Sequence, residues 1–315
     1  MAVIDVRKLR MLAALQRLGT VAAVADELRL SAPGVSTQLT ALEKELGLQL
    51  TQRQGRRVTL TPAGNVLAAH GHDILDRISL AERELEALRA GTAGFYTVTA
   101  FPSAARTIIA DACRRILGDD GSALELRITT SEPEDALDAL SSGAVHLAVI
   151  HSYSNVPRDI PRGITTRTIG TEPVWLATRS PQDRDGARSS TRLEDYADHP
   201  WVSATDDVTC FDMVERACGL AGFTPRIVAE SMDFSVQLHL VAAGVGVALA
   251  PELTIEHVPD GVELVRPDPP IERTLFLAAR TPSFADAGIQ NLADIIENSA
   301  AAQLAARHQQ HQRLR

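Results

Sequence analysis

The sequence predicts three parts in succession: a small helical module with a β hairpin, one long helix, and an α/β region of two units. Three observations support this. Short apolar stripes with helical spacing fill the first 50 residues, a heptad-like pattern then runs to about residue 90, and strands alternate with helices from residue 95 onward. At 315 residues the chain is long enough for more than one domain. The predicted boundaries are 1–61, 62–91 and 92–315.

Charge is distributed unevenly along the chain. Residues 1–65 contain nine Lys and Arg against five Asp and Glu, whereas the rest contains 22 against 35. A basic module joined to an acidic body indicates that only the front end approaches a polyanion. Apolar residues make up 45% of the chain and charged residues 23%, which is ordinary for a globular protein and excludes a disordered or fibrous class.

The sequence predicts neither an export signal nor a membrane span. Charges interrupt the first twenty residues, where a signal peptide needs an unbroken apolar core. The longest apolar run, 240–251, is shorter than the about 20 residues of a spanning helix. We therefore expect a soluble, cytoplasmic protein with no membrane partner. An odd number of cysteines in a reducing compartment argues against a disulfide framework.

Three short helices are predicted for the first part. Leu9, Leu12 and Leu15 lie at helical spacing, and Thr20 and Ser31 are candidate N-caps of the second and third helices. Only a tight turn separates these two helices. This is the arrangement of a helix-turn-helix, whose second helix enters the major groove of DNA.

The third helix has an apolar face and a polar face. Apolar residues from Val35 to Leu46 recur at i, i+4, i+7 and i+11, so they share one side. The opposite side carries small polar groups that can approach base edges, although an ordinary surface helix would look the same in isolation. The tight turn before it favours DNA binding. The residues expected at the DNA are Ser31, Pro33, Ser36, Thr37, Gln38 and Thr40.

A β hairpin is predicted behind the third helix, which makes the module a winged helix-turn-helix. Gly55 supplies the turn, and Val58 and Leu60 alternate as in a strand. Three arginines surround the tip, which indicates contacts to phosphates or to the minor groove. A solvated charged turn is the alternative. These arginines are Arg53, Arg56 and Arg57, and we expect them to hold phosphates together with Ser31.

A long linker helix is predicted from Thr61 as N-cap and Pro62 as first helical residue to about Ala90. Its apolar residues are spaced alternately by four and three, which is typical of a helix that packs against a partner helix. We expect self-association through this seam, and packing on the chain's own body is the alternative. The seam consists of Leu67, Gly71, Ile74, Ile78, Ala81, Leu85 and Leu88.

Strand and helix patterns alternate after residue 95, which predicts parallel sheets in two Rossmann-like units, one formed by about 95–163 and 269–300 and the other by about 164–268. Strands of the second unit are predicted near 173–178, 225–230 and 246–250. Ligands of such folds bind at the carboxyl ends of strands, in the cleft between the units. Hydroxyls there indicate a small polar or carboxylated ligand, and helix capping alone is the alternative. The candidate residues are Pro102, Ser103, Thr130, Ser131, Ser203, Thr205 and Gly246.

Several segments together resemble the LysR family of bacterial transcriptional regulators. The matching segments, in the family's order and spacing, are 19–28, 31–39, 42–47, Arg53, 60–64, 143–149 and 243–251. The resemblance implies a periplasmic-binding-protein-like effector domain and a homodimer or homotetramer joined through the linker helix. It also implies binding to double-stranded promoter DNA and a response to a small-molecule effector.

The chain departs from the family pattern at four positions. Ala32, Thr37, Thr51 and His146 stand where Gln, Arg, Phe and Asp are frequent. The first two changes remove side chains that donate two hydrogen bonds to a base, so the operator sequence cannot be inferred from relatives.

An enzyme is the main rival interpretation. We find no G-x-S-x-G, H-E-x-x-H, P-loop or zinc pattern, and we expect no catalysis, cofactor or metal. A binding protein without a DNA function would leave residues 31–64 unexplained. Among regulators, a redox trigger through Cys210 and Cys218 is the alternative to a metabolite, because the family has a peroxide-sensing branch with two cysteines in this region. A disulfide between residues i and i+8 of one helix would need local unfolding, since they lie about 12 Å apart along its axis.

Overall fold

The N-terminal module of the computed structural model is a three-helix unit that packs around one apolar core. The structure describes residues 4–54, 57–90, 94–118, 124–180 and 189–312. Helices α1 (Val6–Leu18), α2 (Val21–Leu28) and α3 (Ala32–Leu46) enclose Leu12, Val24, Val35 and Leu42, which are fully buried.

Both predicted helix caps of this module are confirmed. The Thr20 hydroxyl accepts a hydrogen bond from the Ala23 N–H at 3.2 Å, and the Ser31 hydroxyl accepts one from the Gly34 N–H at 3.2 Å. Each cap satisfies an amide that has no partner within its own helix. The caps therefore fix where α2 and α3 begin.

The hairpin consists of β1 (Thr51–Gln54) and β2 (Arg57–Leu60), paired antiparallel, while Gly55 and Arg56 lie outside the described residues. Glu43 on α3 anchors it. One carboxylate oxygen of Glu43 accepts hydrogen bonds from the Leu50 N–H, the Thr51 N–H and the Thr51 hydroxyl at 2.8–2.9 Å. The side chain of Thr51, which departs from the family pattern, thus supplies one of the three bonds that hold the hairpin to the third helix.

Helix α4 (Pro62–Ala90) begins and ends where the sequence predicts. Its first turns pack on α1, and Gly71 makes this possible because a Cβ there would lie 3.0 Å from the Leu9 side chain. Leu67 also packs against the N-terminal core. The beginning of the predicted seam is therefore occupied by the chain's own first domain.

One seven-stranded sheet runs through both α/β units. Its strands are β3 (Gly94–Ala100), β4 (Leu124–Thr130), β5 (Leu147–Tyr153), β6 (Ile164–Arg179), β9 (Ala248–Pro251), β10 (Val262–Val265) and β11 (Glu272–Arg280). Their order in the sheet is β10-β6-β11-β5-β3-β4, with β9 also paired to β6. Strand β6 has 16 residues, because it pairs with β11 in its first half and with β9 and β10 in its second.

Two features of this sheet correct the sequence prediction. A strand was expected only at 173–178, whereas β6 begins at Ile164 and joins the two units. The alternating pattern predicted parallel pairing, which holds for β3 with β4 and β5, but β11 is antiparallel to both β5 and β6. After the second unit, the chain therefore returns to the first as β11, which runs antiparallel to its neighbours β5 and β6.

Helices cover this sheet, and a second, parallel two-stranded sheet lies in the second unit. The helices are α5 (Pro102–Ala104), a π-helical segment (Ala105–Ile109), α6 (Ala110–Gly118), α7 (Pro133–Ser142), α8 (Thr209–Leu220), α9 (Phe234–Ala242) and α10 (Ala287–Gln312). The second sheet is β7 (Pro200–Ser203) with β8 (Arg226–Glu230). Within the described residues, no helix is both long and apolar enough to cross a bilayer.

Candidate functional site

The polar face of α3 is open to solvent. Val35, Leu39 and Leu42 turn into the core of the module, and this leaves the opposite side of the helix uncovered. The Thr37 hydroxyl donates to the Pro33 carbonyl at 2.9 Å, so its oxygen lone pairs and methyl group remain to meet a partner. The exposed residues on and before this helix are Ser31, Pro33, Ser36, Thr37, Gln38 and Thr40.

A groove of about 540 Å³ lies beside the N-terminus of α3. Ser31, Gly34 and Gln38 form one wall, and α1 contributes Arg7 and Arg10 to the other. Both arginines are exposed. Sequence reasoning missed them, although their i, i+3 spacing on the polar face of α1 is a usable signal. They place two cations, against the one acid Asp5, beside the uncharged polar face of the recognition helix.

The hairpin arginines are described only in part. Arg53 lies in β1 and Arg57 in β2, where Arg57 pairs with Gln54. Their side chains and the whole of Arg56 lie outside the described residues, so the phosphate contacts expected from them stay predictions.

Beyond the N-terminal module, the seam of α4 exposes large apolar side chains. Ile74 is 41% exposed and Leu85 is 61% exposed, which is unusual for such residues on one helix face. Ile78 is half-buried and Ala81 is exposed, whereas the side chain of Leu88 lies outside the described part. Leu67 and Gly71, near the start of the helix, pack against the chain's own first domain.

A cleft of about 370 Å³ opens between the two α/β units. The first unit contributes residues from the segment after β3, from β5 and from β11, and the second contributes the starts of α8 and α9. The lining residues are Phe101, Pro102, Ser103, Arg106, Glu132, His151, Cys210, Met232, Asp233, Phe234, Thr254 and Arg273.

Arg273 lies at the base of this cleft in a buried ion pair. Its guanidinium contacts the Glu172 carboxylate at 2.5 Å and 2.7 Å, and both side chains are almost completely buried. It also donates to the Ser103 hydroxyl at 3.1 Å and lies over the Phe101 ring, 4.8 Å from the centroid. Burial disfavours the charged form, but the adjacent Glu172 carboxylate outweighs this and raises the pKa of Arg273. The guanidinium therefore stays charged.

His151 on β5 is buried beside Arg273. Desolvation lowers its pKa well below the usual value, and the positive charges of Arg273 and Arg158 lower it further, so the imidazole is neutral at pH 7. Its Nε2 lies 3.9 Å from a Glu132 carboxylate oxygen. Its Nδ1 is buried and makes no hydrogen bond to any described residue. The ring is held edge-to-face by Phe101 at 4.7 Å.

Arg158 connects the two units at the edge of the cleft. Its guanidinium contacts Glu134 at 2.5 Å, donates to the Thr209 hydroxyl at 2.7 Å and donates to the His151 carbonyl at 2.9 Å. Burial acts to raise the pKa of Glu134, but the Arg158 hydrogen bond and charge lower it overall. Glu134 lies in the first turn of α7 in one unit, and Thr209 is the first residue of α8 in the other. Arg158 therefore links the N-termini of these two helices.

Of the seven ligand residues predicted from the sequence, Pro102 and Ser103 lie in the wall of this cleft. The other five are not among the residues that line it, and their assignment to the ligand stays a prediction. Thr130 is exposed at the end of β4, the Ser131 hydroxyl bonds to Thr99 at 2.8 Å, and the Thr205 hydroxyl donates to Asp207 at 2.6 Å.

The last two predicted ligand residues, Ser203 and Gly246, lie in the second unit. Ser203 is buried in β7, and its hydroxyl makes no hydrogen bond within the described residues. Gly246 does permit a close backbone approach, but the neighbour is Pro200, since a Cβ would lie 2.5 Å from its carbonyl oxygen. His146, where the family usually has Asp, fills an acceptor role, because its Nδ1 accepts from the Thr97 N–H at 2.8 Å.

Cys210 and Cys218 both lie in α8, and both thiols are buried. Burial raises the pKa of Cys210 to about 11 and that of Cys218 to about 12. The Cys210 sulfur lies 3.1 Å from the Tyr153 hydroxyl. Both cysteines are therefore thiols at neutral pH, with low nucleophilicity.

Family models match nearly the whole chain. One described as "LysR substrate binding domain" matches residues 89–301, and one described as "Bacterial regulatory helix-turn-helix protein, lysR family" matches residues 6–65. The HTH-type transcriptional regulator TfdS of Cupriavidus pinatubonensis is 30% identical over 259 residues, 78% of this chain and 82% of that protein. The HTH-type transcriptional regulator IlvR of Caulobacter vibrioides is 28% identical over 273 residues, 86% and 90% of the two chains.

Solved structures share the full-length fold. A cysteine mutant of OxyR from Corynebacterium glutamicum matches with a TM-score of 0.59 at 23% identity, over 98% of this chain and 95% of that one. At this identity the match concerns the fold only.

Proposed function

The chain belongs to the LysR family of transcriptional regulators, and we propose that it binds promoter DNA through α3, the groove beside it and the hairpin. Residues 1–61 would form the DNA-binding domain, 62–91 the linker helix and 92–315 the effector-binding domain. In this assignment Ser36, Thr37 and Thr40 read bases, as the sequence predicts.

One observation carries this proposal. The solvent-exposed face of α3 consists of small polar side chains, and a groove with Arg7 and Arg10 on its rim lies directly beside its N-terminus. Small side chains allow close contact with base edges, while flanking cations hold phosphates and fix the register of the helix. The hairpin arginines Arg53, Arg56 and Arg57 would hold the backbone on the other side.

The remaining parts of the chain complete a regulator. We propose that the exposed seam of α4 pairs two chains, which places two recognition helices on one palindromic site. The cleft would bind the effector, and we assign no catalytic role to its residues. A protein that acts on promoters works where the chromosome lies, which places the proposed action in the cytoplasm.

The test is footprinting of the purified full chain on the intergenic DNA beside its own gene, with random DNA of equal length as the competitor. We expect one protected region, and Thr40→Ala should reduce the preference for that region over random DNA. Arg114→Ala, a change to an exposed side chain on α6 of the α/β region, is the control and should leave the preference for that region unchanged. Equal binding to both DNAs by the unaltered chain would contradict the proposal.

A further inference from the structure

We propose that the cleft recognises a small ligand by a positively charged nitrogen, an ammonium or guanidinium group, held between Glu132 and Asp233. This inference rests on the proposed function, in which the cleft is the effector site. It differs from the polar or carboxylated ligand that the hydroxyl pattern of the sequence predicts, because the charges lining the cleft come from segments far apart in the chain.

The cations around the cleft already have anionic partners. Arg273 pairs with Glu172 at 2.5 Å, and Arg106 pairs with Glu256 at 2.8 Å. Arg106 also donates to the carbonyl of Leu253 at 3.2 Å. At the rim, Arg158 is taken by Glu134. A carboxylate ligand would have to displace one of these carboxylates from its arginine, which breaks an ion pair, or share the arginine with it, which brings two negative charges together.

The acids in the wall have no such partners. In the part of the chain that the structure describes, neither Glu132 nor Asp233 has a lysine or arginine within ion-pair distance. Glu132 reaches only the neutral His151, at 3.9 Å, and Asp233 accepts from the Ser235 N–H at 2.8 Å as the cap of α9. The two carboxylates line the cleft from different units, and neither is neutralised by a direct ion pair, since Arg273 and Arg158 act on Glu132 only from a longer distance.

Two further observations point to a donor in the ligand. The neutral ring of His151 carries one N–H, and the Glu132 carboxylate 3.9 Å from Nε2 favours the proton on that nitrogen, which makes Nδ1 an acceptor. Buried acceptors in proteins almost always have a partner, yet this Nδ1, on a residue in the wall, has none among the described residues. Burial, together with the charges of Glu134 and Asp207, raises the pKa of Glu132 despite the opposing fields of Arg273 and Arg158. A bound cation would remove this penalty on the charged carboxylate.

The apolar residues of the wall indicate the chemistry of the uncharged part of the ligand. Phe234, Met232 and Pro102 lie beside the acids and offer contact to a short carbon chain or a ring. Aromatic rings also attract cations over their faces. One face of Phe101 is already covered by Arg273, so Phe234 is the ring that remains for the ligand.

The experiment measures binding of matched probes to the full chain by calorimetry. The first pair is benzylamine and benzoate, and the second is 1,4-diaminobutane and succinate, so that each pair differs mainly in the sign of its charge. We expect at least one amine to bind. Neither acid should bind at the concentration at which that amine saturates the protein. Glu132→Gln and Asp233→Asn should each reduce the affinity for the amine by about tenfold, the usual effect of removing one charge-assisted contact. Asn keeps the helix cap at position 233.

Asp138→Asn, an exposed acid on α7 outside the cleft, is the matched control and should leave amine affinity unchanged within about twofold. Tighter binding of an acid than of its amine, unchanged amine affinity in Glu132→Gln, or no binding of either amine would each overturn the proposal. If an acid binds the unaltered chain and Ser103→Trp, a change in the wall of the cleft, abolishes that binding, the cleft is still the effector site and only the proposed ligand class is wrong. Loss of the preference for intergenic DNA, by contrast, would reject the proposed function itself.

Discussion

Arg273 and Glu172 are direct neighbours on the antiparallel strands β11 and β6, and their buried side chains form an ion pair at 2.5 Å. Glu172 also accepts the Leu253 N–H at 2.5 Å. The pair thereby ties the floor of the cleft to the turn that follows β9. It stands on the one long strand that belongs to both units, so it bears on the stability of the whole effector domain.

Glu172→Gln should therefore be strongly destabilising. It leaves the Arg273 guanidinium charged and buried without its counterion, which costs about 3–5 kcal/mol in comparable buried pairs. Urea unfolding at pH 7 gives the free energy of unfolding directly. The double variant Glu172→Leu with Arg273→Met should lose less than Glu172→Gln alone, because it leaves no unpaired charge. A single variant as stable as the wild type would show that solvent reaches the pair.

The N-terminal module could be predicted almost completely, since its signals are local. Thr20, Ser31 and Thr61 cap the helices that they immediately precede, and the spacing of apolar residues alone decides which face is buried. The cleft could not be predicted in the same way. Arg273 and Glu172 are 101 residues apart in sequence, and β11 is flanked by strands on both sides, so no periodic pattern marks its place in the sheet.

His151 should make the stability of the domain depend on pH. Its pKa is depressed in the folded chain, so below pH 6.5 the unfolded chain takes up a proton that the folded one does not. Stability should therefore fall as pH decreases below 6.5, by up to about 1.4 kcal/mol per unit. The raised pKa of Glu132 acts in the opposite direction. The comparison is thus wild type against His151→Gln, by urea unfolding between pH 7.5 and 5.5. A difference that is the same at both pH values would mean that the pKa of the ring is the same in the folded and the unfolded chain.

Arg10→Ala should weaken binding to specific and random DNA alike. Arg10 lies on the rim of the groove beside α3, and a phosphate contact carries no sequence information. Each lost contact should flatten the dependence of log affinity on log salt by about one. Arg7→Ala and, in the hairpin, Arg56→Ala should behave in the same way. Fluorescence anisotropy at several salt concentrations measures this. An effect on operator preference alone would place Arg10 at a base.

Ile74→Asp and Leu85→Asp should dissociate the dimer. Both residues are exposed in the single chain, and pairing of two α4 helices would bury the new charge in an apolar seam. Sedimentation velocity measures the loss of the dimer, and DNA affinity should fall with it because two half-sites are no longer bound together. Val66→Asp is the matched control, because Val66 is a 61% exposed apolar residue of the same helix that lies off the seam. A dimer that survives both seam variants would place the interface elsewhere.

The cysteines of α8 should be unreactive in the folded chain. With a pKa of about 11, Cys210 is a thiolate in only about one molecule in ten thousand at pH 7, and Cys218 in fewer. Peroxide attacks the thiolate, so exposure to hydrogen peroxide should leave DNA binding unchanged, as gel shift would show. Alkylation followed by mass spectrometry should modify Cys113 first, because it alone of the three is not fully buried. In urea all three should react at similar rates.

Formation of a disulfide between Cys210 and Cys218 would contradict the prediction that these cysteines are unreactive in the folded chain. Both residues lie within one continuous helix, about 12 Å apart along its axis, whereas bridged Cα atoms lie about 5.5–6 Å apart. The bond could form only if α8 unwound, and the Thr209 bridge to Arg158 and Glu134 would then break with it. Oxidation would in that case open the contact between the two units. Mass spectrometry of peroxide-treated protein under non-reducing conditions distinguishes the two cases, with Cys218→Ala as the variant in which no such bond can form.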